Sequence, residues 1–246
     1  MGKKVLGIDV GASAVKGGIV DLKQGKMISE RFKIKTGVPP CSVVDVVDAF
    51  AKIVSHFDWK GEIGVGFPSI VKNNIIYSAS NVDKAWIGKD IQKVFGEKVG
   101  LPVFAVNDAD AAGLAERAFG GGKGQKGTVL LLTLGTGIGS ALFRDGVLIP
   151  NTELGHLKFR GDIAEKYCSS RVKEIEELSM KKWARRLDRF LLHVEFLFSP
   201  DLILIGGGIS RKFDSYKDHL TVKTEVRPAA MLNVAGIVGA AMAVNA

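Results

Sequence analysis

Short β-branched runs broken by glycine alternate with stretches of helical spacing along the 246 residues. Val5–Val10 is a compact apolar run ending at Gly11, which predicts a buried strand and a turn. Ala14–Val20 and Met27–Ile34 predict two more strands before Pro39-Pro40 breaks the chain. Val43–Phe57 has helical spacing, and Glu62–Phe67 is a strand stopped by Pro68. Ile70–Lys72 and Ile75–Tyr77 flank Asn73-Asn74, a pair that tolerates the left-handed backbone of a hairpin turn. Val103–Val106 is then a strand and the alanine-rich Ala109–Phe119 a helix.

A glycine-rich basic loop, Gly120–Gly127, separates this stretch from a second series. Thr128–Leu134 and Ile138–Phe143 predict a strand pair, Ile163–Leu178 a helix, Asp201–Ile205 a strand and Ala235–Val244 a closing helix. The expectation is an α/β protein of two lobes with a cleft between them. The lobes are placed at 1–109 and 110–234, with the helix from about 235 returning to the first.

The sharpest periodicity lies between Ser179, a capping residue, and Pro200. Met180, Trp183, Leu187, Phe190, Leu191, Val194, Leu197 and Phe198 share one helix face; Lys181, Lys182, Arg185, Arg186 and Arg189 share the other. Such a basic face is ordinarily a solvated one; its functional reading is a rail for a polyanion.

Net charge is +8, which admits nucleic acid, anionic membrane or a polyanionic substrate without choosing among them. The two cysteines, Cys41 and Cys168, exclude a disulfide scaffold and argue against a cysteine-rich zinc site. No apolar run is long enough to span a bilayer, and Met1–Gly11 enters a strand with no signal-peptide pattern. A cytoplasmic protein is expected, with no membrane partner and no specific nucleic acid.

Two segments echo each other: Leu6–Ser13 and Leu132–Gly139. Each is an apolar strand followed by a tight turn, Gly11-Ala12-Ser13 in the first and Gly135-Thr136-Gly137 in the second. Backbone N–H groups of such turns can face phosphate oxygens, and a third cluster, Gly206-Gly207-Gly208, follows another strand. One such turn is ordinarily structural; three in this order describe a clamp for a phosphate chain. Asp9, at the end of the first strand, can hold Mg²⁺, and Lys16 on the next strand can meet a phosphate.

Asn107-Asp108 closes a strand, where ligands of α/β sheets gather. Asp108 can take the proton of an attacking hydroxyl while Asn107 orients a neighbouring one, although Asn-Asp by itself is commonly a helix cap. Glu153 and His156, with Asn81 and Asp83, offer hydrogen-bonding groups suited to a polyhydroxyl ligand, and Trp86 offers an apolar wall.

Together the glycine clusters resemble the two phosphate elements and the adenosine element of the actin/hexokinase/Hsp70 superfamily. Asn107-Asp108 and Glu153-Leu-Gly-His156 resemble the sugar-site motifs of the ROK (repressor, open reading frame, kinase) family. Asn81–Gly88, Asn107–Glu116, Leu132–Phe143, Asn151–Leu157, Phe198–Asp201 and Asn233–Gly239 are similar to the branch of that family that uses polyphosphate. The likeness spans nearly the whole chain.

It implies two ribonuclease-H-like lobes and commonly a homodimer. It also implies transfer of a terminal phosphoryl group from inorganic polyphosphate, and often ATP, to the 6-hydroxyl of glucose. Asp108 would be the base, with Asn81, Asn107, Glu153 and His156 around the sugar. An ATP-only kinase of glucose or a related hexose would carry the same sugar motifs. A non-catalytic sugar sensor would carry a DNA-binding segment, for which no room is read before Val5. The family's cysteine-rich zinc loop would fall at Lys158–Arg171, which holds only Cys168, so His156 is expected to meet sugar. Ala12 stands where the family often has glycine; if that position needs φ > 0, alanine costs about 1 kcal/mol.

Overall fold

The computed structural model describes residues 2–37, 40–79 and 82–245. The chain forms two compact units, Met1–Ala115 with Val234–Ala246, and Glu116–Asn233. The division falls inside a helix, beyond the strand–helix boundary placed at 109.

The first unit is built on β1 (Lys4–Val10), β2 (Ala14–Asp21), β3 (Lys26–Met27) and β4 (Phe32–Lys35), then helix α1 (Val43–His56) and β5 (Ile63–Phe67). A small hairpin, β6 (Val71–Lys72) and β7 (Ile75–Ile76), turns on Asn73 and Asn74, both with positive φ. A π-helical turn at Gln92–Gly96 leads into α2 (Glu97–Val99), then β8 (Val103–Asn107) and α3 (Asp108–Phe119). The sheet runs β3-β2-β1-β5-β8, with β4 also on β2; β1–β2 is antiparallel, while β1–β5 and β5–β8 are parallel.

The single strand expected over Met27–Ile34 is two. Ser29 breaks it: its hydroxyl accepts the Ile19 N–H at 2.9 Å, taking the place of a backbone acceptor. The core stacks Phe50 on Phe95 (4.3 Å between centroids), with Trp86 beside Phe67 and Phe95.

The second unit repeats the plan. It holds β9 (Thr128–Leu134), β10 (Ile138–Arg144) and β11 (Val147–Ile149), then a hairpin of β12 (Lys158–Phe159) and β13 (Asp162–Ile163). Helices α4 (Glu165–Cys168), α5 (Ser170–Ile175) and α6 (Met180–Phe198) follow, then β14 (Leu202–Gly206) and β15 (Glu225–Pro228). The sheet runs β11-β10-β9-β14-β15, again one antiparallel hairpin joined to parallel strands.

The helix expected over Ile163–Leu178 is instead a strand and two short helices. Ser169 stands between the helices in extended conformation, and its hydroxyl accepts the Val172 N–H, capping α5. The carbonyls of Cys168 and Ser169 receive the buried Trp183 indole N–H at 2.9 and 3.2 Å.

α6 begins at its Ser179 cap and buries Trp183, Leu187, Phe190, Leu191 and Val194, whereas Leu197, expected on that face, is half exposed. Asp188, on the buried side, accepts from the Thr221 N–H and hydroxyl. The last helix, α7 (Ala235–Met242), is apolar all round because it lies in the first unit against β1 and β5. Gly64 of β5 is required there, since a Cβ would strike the Ala240 carbonyl.

Candidate active site

Parallel register brings the first unit's chemistry to one edge. Asp9 pairs with Gly66 across β1–β5, and Gly66 with Val106 across β5–β8. Asp9 and the start of α3 therefore sit at the carboxyl end of the sheet two strand spacings apart, about 10 Å. Loop Gly11–Ser13 leaves the same edge. It is held by Gly11 N–H to the Ala14 carbonyl (2.9 Å), the Ser13 carbonyl to Thr36 N–H (3.2 Å), and the Ala12 carbonyl to the Cys41 thiol (3.0 Å). Ala12 does not have positive φ, so the strain considered for it is absent: the turn needs no glycine there.

Lys16 lies directly opposite Asp9 in the β1–β2 register, and its ammonium is 3.1 Å from the carboxylate. The cation read as a phosphate contact thus rests on the carboxylate read as a metal ligand.

Asn107 is buried and caps α3. Its Oδ1 accepts from Ala109 N–H (2.8 Å) and Asp110 N–H (3.0 Å), and its Nδ2 donates to the Ser69 carbonyl (3.1 Å). One amide hydrogen remains for a ligand. Asp108, half-buried at the first turn, accepts the Ala109 N–H at 2.8 Å. Asn81 lies outside the described residues.

Asp83 caps the short turn Lys84–Trp86 through Ala85 N–H. Trp86 is fully buried between Phe67 and Phe95, so it is a core residue and not a wall for sugar. Its indole N–H has no partner among the described residues. Trp86→Phe is therefore expected to leave the KM for the acceptor unchanged. Trp86→Ala is expected to cost about 3–5 kcal/mol of stability. Steady-state kinetics and thermal unfolding read the two effects separately.

In the second unit, β9 ends in Gly135–Gly137 and the parallel β14 ends in Gly206–Gly208, with Gly206 in register with Thr133. The two loops share an edge of one sheet. A pocket of about 360 Å³ opens between them, lined by Gly135, Thr136, Arg171, Glu174, Gly208 and Lys212 among others. Arg171 also donates its backbone N–H to the Gly135 carbonyl (3.1 Å). Neither cation was singled out in the sequence, because nothing local to Arg171 or Lys212 marks them; only the fold brings them to the glycine loops.

Glu153 and His156 flank a single helical turn, with Nδ1 of His156 3.4 Å from Glu153. Gly155 has no room for a side chain, because a Cβ would strike the Ile138 carbonyl. Ser140 ties the segment down, donating to the Thr152 carbonyl and accepting the Leu154 N–H. Burial pushes the Glu153 carboxyl above the ordinary 4.5; His156 opposes the shift and Glu165 adds to it.

The sign follows. A raised carboxyl is less stable ionised in the fold, so its cost to stability is present above the raised pKa and relieved on acidification. On acidification Glu153 loses its charge, and with it much of its strength as a hydrogen-bond acceptor, earlier than an ordinary glutamate. The KM for a polyhydroxyl acceptor held by Glu153 is expected to climb as pH falls, beginning above pH 4.5, and Glu153→Gln is expected to flatten that climb. A native KM that stays level down to that pH would contradict the assignment.

Cys168 is a core thiol, pushed up to about 12 by burial. On α6, Arg186 forms a two-point ion pair with Glu176 and lies over Tyr167, and Arg189 donates to the Tyr167 hydroxyl. Lys181, Lys182, Arg185 and Arg189 are the exposed cations of the basic face. Among the described residues no helix is long and apolar enough to cross a membrane.

The model of the ROK family matches residues 5–172. A polyphosphate glucokinase of Mycobacterium tuberculosis is 48% identical over 238 residues, covering 96% of this chain and 89% of that protein. The inorganic polyphosphate/ATP-glucomannokinase of Arthrobacter sp. strain KM superposes with a TM-score of 0.94 at 46% identity, covering 98% of each chain. A ROK glucokinase of Streptomyces griseus, in complex with glucose and AMPPNP, superposes with a TM-score of 0.82 at 24% identity over 97% of this chain and 98% of that one, a likeness of fold alone. The chain belongs to the ROK family. Its fold is the actin-like ATPase fold of the ROK sugar kinases.

Proposed function

We propose that the protein is a polyphosphate-dependent glucose kinase that also accepts ATP, producing glucose 6-phosphate. The observation that carries this reading is the near-complete likeness to polyphosphate-using sugar kinases. It agrees with a phosphate-loop pocket lined by two cations, Arg171 and Lys212. In that pocket, only Leu134 and Ile209 offer large apolar side chains, which suits a phosphate chain better than a purine.

In the proposed reaction the 6-hydroxyl oxygen attacks the terminal phosphorus. The bond from that phosphorus to the bridging oxygen breaks, leaving a chain shorter by one phosphate. Asp108 takes the hydroxyl proton. Transfer of this kind has a loose transition state, so placement and charge neutralisation carry most of the rate. Asn107 offers its remaining amide hydrogen, Glu153 and His156 receive sugar hydroxyls, and Asn81 joins them. Gly11–Ser13, Gly135–Gly137 and Gly206–Gly208 offer backbone N–H groups to phosphate oxygens, with Arg171 and Lys212 as added cations.

Mg²⁺ fits Asp9, a half-buried carboxylate at a strand end faced by the small Gly236. One carboxylate plus waters and donor oxygens is how this ion is commonly held. When bound it neutralises phosphate charge. Lys16 supplies a cation to Asp9 in its place.

Glucose phosphorylation assayed with Mg²⁺, in parallel with long-chain polyphosphate and with ATP, tests the reading; a mannose arm reports the breadth of the acceptor. Turnover with polyphosphate is expected, falling as salt rises because charge screening weakens the cations. Turnover with ATP alone would restrict the protein to ordinary hexokinase chemistry, and turnover with neither would overturn the sugar assignment. The homodimer is proposed from family resemblance, and sedimentation of the purified chain reads it.

A further inference from the structure

Two successive carbonyls of the first phosphate loop are tied back to residues between β4 and α1. The Ser13 carbonyl accepts the Thr36 N–H at 3.2 Å, and the Ala12 carbonyl accepts the Cys41 thiol at 3.0 Å. Cys41 is buried, and its sulfur also lies 3.1 Å from the Thr36 hydroxyl oxygen. Its backbone reaches another part of the first unit: Cys41 forms a parallel bridge with Val82, and its carbonyl accepts the Asp83 N–H at 3.3 Å. One residue therefore touches the phosphate loop with its side chain and the Val82–Asp83 segment with its main chain.

A trans peptide unit sets its carbonyl and its N–H on opposite sides. The Ala12 carbonyl shares its unit with the Ser13 N–H, so holding the carbonyl inward turns that N–H away from Cys41. Ser13 is exposed, and its N–H meets no acceptor among the described residues. A thiol carries one hydrogen; with it on the Ala12 carbonyl, the sulfur is left to accept from the Thr36 hydroxyl. A buried thiol ordinarily packs as a small apolar group. Cys168 does so, its nearest acceptor being the Ala164 carbonyl of the preceding turn at 3.5 Å. The acceptor of Cys41 is instead 29 residues away, in the loop read as a phosphate cradle.

Resting on the function proposed above, we propose that Cys41 is a positioning residue for the phosphoryl donor: its thiol holds the Ala12 carbonyl so that the Ser13 N–H is aimed at a phosphate oxygen. Cys41 touches neither donor nor sugar; it acts through the Ala12–Ser13 peptide unit. Its contacts with Val82 and Asp83 are made by the main chain and survive a change of side chain. Substitution at Cys41 therefore weakens the donor side and leaves the acceptor side in place.

Initial rates with polyphosphate varied at saturating glucose, and with glucose varied at saturating polyphosphate, read the two sides separately. Cys41→Ala is expected to lower kcat/KM for polyphosphate about 5–30-fold, as when one hydrogen bond to a charged group is weakened, with the KM for glucose within about twofold of native. Cys41→Ser keeps one hydrogen to donate and an oxygen to accept, and is expected to return to within about threefold of native. Cys41→Val fills the space without a donor; it is expected to behave as Cys41→Ala and stands in for it if the alanine variant does not fold. Should ATP alone support turnover, the same series is run with ATP, whose phosphates meet the same loop. A donor-side loss as large in Cys41→Ser as in Cys41→Ala, near-native kcat/KM in the alanine and valine variants, or a lowered thermal midpoint without the split between donor and glucose would overturn the role of Cys41 and leave the kinase reading intact. A native protein that phosphorylates glucose with neither donor would instead overturn the kinase reading, and this inference with it.

Discussion

Asp108→Asn is expected to give a folded protein that binds glucose normally and phosphorylates it about 10²–10⁴-fold more slowly, the usual contribution of a positioned general base. Folding is preserved because α3 is capped by Asn107, whose Oδ1 receives the N–H groups of Ala109 and Asp110. The contact from Asp108 to Ala109 N–H survives too, since an asparagine carbonyl accepts as a carboxylate does. The capacity to take a proton is lost. The fall should appear in kcat, with the KM for glucose little changed, because the substitution leaves the hydroxyl partners of the ground state in place. Initial rates with saturating polyphosphate and a separate glucose-binding titration check both halves. Turnover within tenfold of native would remove Asp108 from the role of base.

Glu116→Ala is expected to be the most destabilising single change at a polar position. Glu116 is buried, and its carboxylate accepts three backbone N–H groups: Gly121 (2.8 Å), Ala230 (3.0 Å) and Met231 (2.6 Å). It thereby ties the glycine-rich loop to the segment just before α7, within the second unit. Removing it leaves three donors short of an acceptor, at about 1 kcal/mol or more each. The sum, about 3 kcal/mol, corresponds to a midpoint lower by about 10 °C for a chain of this size. Glu116→Gln, which keeps one carbonyl oxygen, should lose less. Thermal unfolding followed by circular dichroism measures both, and a midpoint for Glu116→Ala within about 2 °C of native would refute the clamp.

The strands were legible where a short, largely apolar run is buried, as in Val5–Val10, Val129–Leu134 and Leu202–Ile205. Boundaries failed where a side chain replaced a backbone partner. Ser29 and Ser169 each look like ordinary polar residues, yet one interrupts a strand and the other divides a helix by accepting an N–H group. Trp86 misled for a related reason. Its neighbours in sequence, Lys84, Ala85, Ile87 and Gly88, are exposed, but its neighbours in space are Phe67 and Phe95.

By itself the sequence determined the repeated strand–turn–strand plan, the glycine turns at strand ends, and the acceptor motif from Glu153 to His156. These are local: apolar periodicity and glycine spacing encode them within a few residues. Only the tertiary structure decided the partners. Cross-strand register laid Lys16 on Asp9, and parallel pairing of β9 with β14 brought Arg171 and Lys212 to one pocket. The packing of α4 set Glu165 between His156 and Ile138. Contacts between residues far apart in the chain depend on how sheets and helices close on one another, and no short window of sequence specifies that.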